Sequence, residues 1–202
     1  EVARILAPII TVMSVIFVFA KDVRVEIINY FVRYRKDHLV VAGLGDKSWQ
    51  FIQSCHNDYK VVVVELNSEN LFIERARSLG VWVIISDVLD SGSFERVNLT
   101  DAKHLVTLTG NDGVNLELAL NAREYVRSTH PAKHQLRIHL HVDDTRISKR
   151  LENYPKFFSD YSLAEISFFS VYDLSARELF SEYPPDIFAE VFAQKEIHIA
   201  IY

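Results

Sequence analysis

The feature that most constrains this chain is a rhythm. Short apolar, β-branched runs recur along it, each followed by a stretch with helical spacing or helix-ending signals. The runs are His38 to Gly43 (HLVVAG), Lys60 to Leu66 (KVVVVEL), Val81 to Ser86 (VWVIIS), Lys103 to Thr109 and Gln135 to Val142 (QLRIHLHV). Between them the spacing predicts helices over 46–57 and 69–79, the second capped by Ser68 and ended by Gly80. A short helix is expected near 93–97, and a longer one from Asn111 or Asp112 to about Arg127. Asp143-Asp144 is expected to open another. Runs apolar on both faces belong to strands covered on both sides, which is the pattern of a parallel sheet. Right-handed crossovers then give an α/β, doubly wound sheet of the Rossmann type. We assign it residues 37–155.

The flanks read differently. Ile5 to Ala20 carries no charge. As a helix it would span about 24 Å, short of the roughly 30 Å of a bilayer core. It is either the end of a membrane span or a helix buried in a soluble dimer. Lys21, Arg24, Arg33, Arg35 and Lys36 follow it, among the acids Asp22, Glu26 and Asp37. Basic residues beside an apolar span favour the cytoplasmic side. Residues 21–36 read as an amphipathic connecting segment, with Val23, Ile27, Tyr30, Phe31 and Tyr34 on one face. After Pro155 the rhythm changes to a helical crossover over 156–195, broken at Pro184-Pro185. Glu196 to Tyr202 (EIHIAIY) reads as a further strand.

Composition excludes some functions. A net charge of -5 offers no basic footprint for nucleic acid. A single cysteine, Cys55, excludes an internal disulfide and reads as a buried thiol. His139 and His141 alternate on one strand and so share a face, but no third ligand stands at metal-motif spacing. There is no Tyr-x-x-x-Lys, Gly-x-Ser-x-Gly or Gly-x-x-x-x-Gly-Lys-Ser/Thr motif.

The chemistry concentrates where strands end. The first strand runs into Gly43-Leu44-Gly45-Asp46-Lys47-Ser48, a dinucleotide fingerprint with serine at the third glycine position. The first glycine permits a tight turn, and the second lets a pyrophosphate approach the backbone over a helix N-terminus. Asp46 adds negative charge there, which Lys47 can offset. The competing reading is that these glycines only turn a strand into a helix. Glu65 stands about 20 residues past Gly45, where an acid receives ribose hydroxyls and repels a 2′-phosphate. Further strand ends carry Asp87-Val88 and Thr109-Gly110-Asn111, with Asn115 one turn on. Ligands of open α/β sheets bind outside the carboxyl ends of the strands. With Asn67 beside Glu65, these residues are the expected nucleotide contacts, although Asp87 and Asp112 would serve equally as helix caps.

The order strand-GLG, VVVVE, a short strand followed by SD, then LVTLTGNDGVN resembles the RCK or TrkA-N family. That family carries a Gly-Asp-Ala turn after its third strand, where this chain has Ser86-Asp87-Val88. It carries Thr-x-Asp-Asp-x-x-Asn after the fourth, where this chain has Thr109 to Asn115 with Asn111 in an acid's place. The match covers residues 38 to 150. The resemblance implies a non-enzymatic sensor of NAD(H) or another adenine nucleotide at the cytoplasmic face of a membrane. It implies control of potassium transport through a pore or transporter domain, a tandem second domain whose first strand is 196–202, and homo-oligomers formed through residues 170 to 193. An NAD-dependent oxidoreductase fragment and an assembly domain without ligand are the alternatives.

Overall fold

The computed structural model describes residues 9–15, 32, 34–129, 135–153 and 163–192. Six parallel strands form one sheet: β1 (His38–Ala42), β2 (Val61–Glu65), β3 (Trp82–Ile85), β4 (Ala102–Thr107), β5 (Leu136–His141) and β6 (Ala164–Phe169). Their order is β3-β2-β1-β4-β5-β6, and every neighbouring pair is parallel. The helices are α1 (Asp46–Cys55), α2 (Ile73–Ser78), α3 (Ser91–Arg96), α4 (Asp112–Thr129), α5 (Thr145–Glu152), α6 (Val171–Glu182) and α7 (Pro185–Val191). The expected doubly wound sheet is present.

Two apolar layers hold it. On one face Val40, Val64, Leu105, Ile138 and Ile166 meet Leu118, Ala119, Ala122 and Val126 of α4, with Phe94 of α3. On the other, Leu39, Val41, Val63, Val83 and Val106 meet Ile52 and Cys55 of α1 and Ala76 of α2. The β-branched strands fill both layers because successive side chains point to opposite faces. Each fully buried Val or Leu contributes about 1.5–3 kcal/mol. The chain steps outward from β1 to β3, then returns to lay β4 on the other side of β1. That reversal opens a crevice at the carboxyl ends of β1 and β4.

Two elements depart from expectation. Between 156 and 195 we expected helices alone, yet β6 lies there and extends the sheet. As an edge strand it is paired on one side only, and its residues alternate between buried Ala164 and Ile166 and exposed Ser167. It lacks the continuous apolar run of the inner strands. The helix expected over 69–79 forms only from Ile73. Asn67 Oδ1 accepts from Glu69 N at 3.0 Å and Asn70 Oδ1 from Phe72 N at 2.9 Å. These side-chain turns occupy the backbone N–H groups that an earlier helix start would organise, and the Ser68 cap is not made.

Residues 9–15 are helical, with Ile9, Ile10, Val12, Met13 and Val15 exposed. Among the described residues no helix is long and apolar enough to cross a membrane. The rest of the 1–20 apolar stretch, most of the 21–36 segment and the 196–202 strand lie outside the described residues.

Candidate functional site

The glycine loop leaves β1 at the switch point. Gly43 N donates to Val64 O at 2.8 Å. Its φ of +92° is left-handed, and a Cβ there would lie 2.7 Å from Leu108 O and 2.8 Å from Thr109 Cα. Only glycine lets the first loop pass this close to the loop after β4. Gly45 differs. It is extended at the start of α1, exposed, and a Cβ on it would meet nothing within 4 Å. The backbone here is open above a helix N-terminus, the arrangement that favours an anion. Ser48 is fully buried and its Oγ donates to Leu108 O at 3.2 Å. The third fingerprint position is therefore where α1 packs on the end of β4, and serine fits it by bonding the first residue past the strand.

Glu65 clamps the loop. It is 9% exposed. Its Oε2 accepts from Leu44 N at 2.8 Å and its Oε1 from Asn67 N at 2.9 Å. Each oxygen keeps a second lone pair for a ligand hydroxyl. Leu44 turns inward and is 1% exposed. Asn70 completes the clamp, its Nδ2 donating to Leu44 O at 2.9 Å. Sequence reading missed Asn70; its place just past the acid, in a polar Asn-x-x-Asn turn, was the available signal.

The loop after β4 is built on Asn115, fully buried in the first turn of α4. Its Oδ1 accepts from Thr109 N at 3.0 Å and Thr109 Oγ1 at 2.8 Å, while its Nδ2 donates to His141 O at 3.2 Å. Asn111 Oδ1 accepts from Val114 N, a helix cap. Gly110 is exposed with φ +82°. Asp87 is exposed and caps locally, accepting from Leu89 N at 2.9 Å, and Val88 packs against the core. No hydrogen bond joins Asp87 or Val88 to the glycine loop among the described residues.

Asp46 is exposed in the first turn of α1, and Lys47 does not face it. The Lys47 ammonium is paired with the Asp143 carboxylate, 3.4 Å from His141 Nε2 and 5.0 Å from the Tyr172 ring centroid. Asp112 anchors the same loop, accepting from Asp143 N and from Asp144 N at 2.7 Å. Burial holds His141 below the usual imidazole range against the opposing pull of Asp143. Among the described residues no group of three His, Cys, Asp or Glu side chains is placed to hold a metal.

A switch-point crevice with an open glycine, a helix N-terminus and a buried acid defines an α/β domain of the Rossmann type. The TrkA-N domain model matches residues 39–150, more than half of the chain, and the chain belongs to that family. No curated protein matches it. Among solved structures it is similar to the NAD(P)-binding domain of an exopolyphosphatase-related protein from Archaeoglobus fulgidus, at a TM-score of 0.52 and 16% identity, over 74% of this chain and 98% of that one. It is equally similar to the TrkA-N domain of the inner membrane protein ybaL from Escherichia coli, at 0.52 and 17% identity, over 73% of this chain and 97% of that one. The GsuK RCK domain superposes at 0.46 with 14% identity, over 65% of this chain and 26% of that one.

Proposed function

We propose that this chain is a regulatory domain, not an enzyme, that binds NAD(H) or another adenine nucleotide at the crevice between β1 and β4. The observation that carries this is the Glu65 clamp on the glycine loop, which presents an open Gly45 over the start of α1. In this reading the pyrophosphate lies on the N–H groups at Gly45 and Asp46, and the ribose hydroxyls meet Glu65. Gly43, Leu44, Lys47 and Ser48 shape the loop; Asn67, Asp87, Val88, Thr109, Gly110, Asn111 and Asn115 form the remaining rim. An acid at Glu65 selects against a 2′-phosphate, so NAD(H) is favoured over its phosphorylated counterpart.

Family membership supports the wider role: control of potassium transport, at the cytoplasmic face, through a pore or transporter domain. The exposed apolar side chains Leu179 and Phe180 of α6, Tyr183 just after it and Ile187 of α7 support assembly of like chains through this segment. A nucleotide would act by binding one arrangement of the assembled domains more tightly than the other.

Calorimetric titration of the 202-residue chain with NAD, NADH, ADP and ATP tests the reading. We expect saturable binding of at least one, at least about tenfold weaker in Glu65→Ala. Heat-silent titrations together with an unshifted melting temperature for all four would overturn it in favour of an assembly domain without ligand.

A further inference from the structure

A cavity lies on the sheet face above β4, β5 and β6, beneath α6. It measures about 550 Å³, within the range of small-molecule sites. Helices α4 and α5 pack against the opposite face, so α6 is the roof here. Leu39, Phe51, Val106, Leu108, Phe169 and Leu174 make the lining overwhelmingly apolar.

One polar row crosses this lining. Ser167 Oγ and His139 Nδ1 are 3.2 Å apart, and His139 Nε2 and His104 Nδ1 are 3.1 Å apart. The protons in such a row are linked. If Ser167 donates to His139, His139 donates to His104, and Nε2 of His104 carries a hydrogen. If the row runs the other way, Nε2 of His104 is an acceptor. No hydrogen bond to that Nε2 occurs among the described residues. The row therefore ends in a single unused hydrogen-bonding atom on a residue of the lining.

We propose that this cleft is a second binding site, for an uncharged, mostly apolar molecule carrying one hydrogen-bonding group. Apart from Glu178, which is exposed on the roof helix, the lining offers no unpaired charge. Lys47 at the mouth is already paired with Asp143, and burial keeps both histidines below the usual imidazole range. An ion would thus be desolvated at large cost. Phe180 of the proposed assembly surface lies on the opposite side of α6 from the residues that line the cleft. Val171, Leu174, Ser175 and Glu178, at helical spacing, line the cleft; Leu179, Phe180 and Tyr183 are exposed and do not. The proposal does not depend on nucleotide binding, since the cleft lies along the sheet face and the glycines of the loop take no part in its lining.

The test is fluorescence titration of the full chain with N-phenyl-1-naphthylamine, a neutral aromatic with one N–H. We expect one saturable site per chain. Ser175→Trp, which fills the cleft from the exposed roof, abolishes it. His104→Phe, which keeps the bulk and removes the free nitrogen, weakens it by roughly two- to tenfold; Ser167→Ala, exposed and outside the core, is the substitute if that variant misfolds. Phe180→Ser, on the opposite side of α6, leaves binding unchanged. The proposal is overturned by an absence of saturation, by binding indifferent to Ser175→Trp, by loss in Phe180→Ser, which places the probe on the outer face, or by loss as rising chain concentration drives association, which makes a second copy the occupant. Displacement by NAD would also overturn it, whereas failure of NAD to bind would not affect it.

Discussion

The backbone N–H of Leu44 donates to Oε2 of Glu65 at 2.8 Å, tying the loop after β1 to the end of β2 across 21 residues. Leu44 is 1% exposed, so removing the carboxylate strands a buried donor. We expect Glu65→Ala to lose about 1–3 kcal/mol of stability, measured by urea unfolding. Glu65→Gln, able to replace one of the two acceptors, should lose less. Equal midpoints for all three proteins would rule the clamp out.

The two loop glycines should respond in opposite ways. Gly43→Ala puts a methyl against backbone atoms of Leu108 and Thr109 at a positive φ. A left-handed alanine costs about 1–2 kcal/mol and overpacking about 1–3 more. Gly45→Ala meets open space, so its stability should stay within about 0.5 kcal/mol while nucleotide affinity falls. Thermal melts and calorimetry on the pair read the two effects separately.

Asn115 is the hub of the loop after β4. Asn115→Ala orphans Thr109 N–H and His141 C=O at once, and should destabilise by about 1–3 kcal/mol or more. Lys47→Met removes a pair whose side chains are about a third exposed, and we expect a change below about 1 kcal/mol that shrinks further in salt. A larger loss for Lys47→Met than for Asn115→Ala would reverse this ranking.

Acid should loosen the fold through its histidines. Burial lowers the proton affinity of His38, His104, His139 and His141. His38 Nε2 donates to Val97 O at 2.7 Å, leaving Nδ1 without a partner in the core. The unfolded chain binds protons at these sites first, near the unperturbed pKa of about 6.5. Their stability contribution is complete above that pH and is lost as pH falls below it, toward the lower folded values. Melting temperatures from pH 8 to pH 5 should hold level and then drop. A rise on acidification would contradict the assignment.

The inner sheet was legible because strands buried on both faces leave uninterrupted runs such as Val61 to Val64. The glycine loop and Glu65 were legible because their spacing is local. Edge strand β6 was not, since its run AEISFF is interrupted by Glu165 and Ser167 and buries only Ala164 and Ile166. Nor was the Asn70 clamp, because an asparagine that bonds a loop carbonyl 26 residues away looks like any turn residue. The pairing of Lys47 with Asp143, 96 residues apart, redirects a lysine whose neighbours suggested phosphate. The row of His104, His139 and Ser167 needs three strands in register before it exists. Long-range partners of this kind carry no periodicity.

Val32 is fully buried in the core ahead of β1, and the Arg35 guanidinium lies 3.6 Å over the Trp82 ring of β3. Asn98 Nδ2 holds the Arg35 carbonyl at 2.8 Å. The segment entering the sheet is therefore a tether without slack. A pull from upstream must extract an aliphatic side chain and unstack a cation before the backbone can lengthen. Through the Arg35–Trp82 stack such a pull also reaches β3, the edge strand two places from β1.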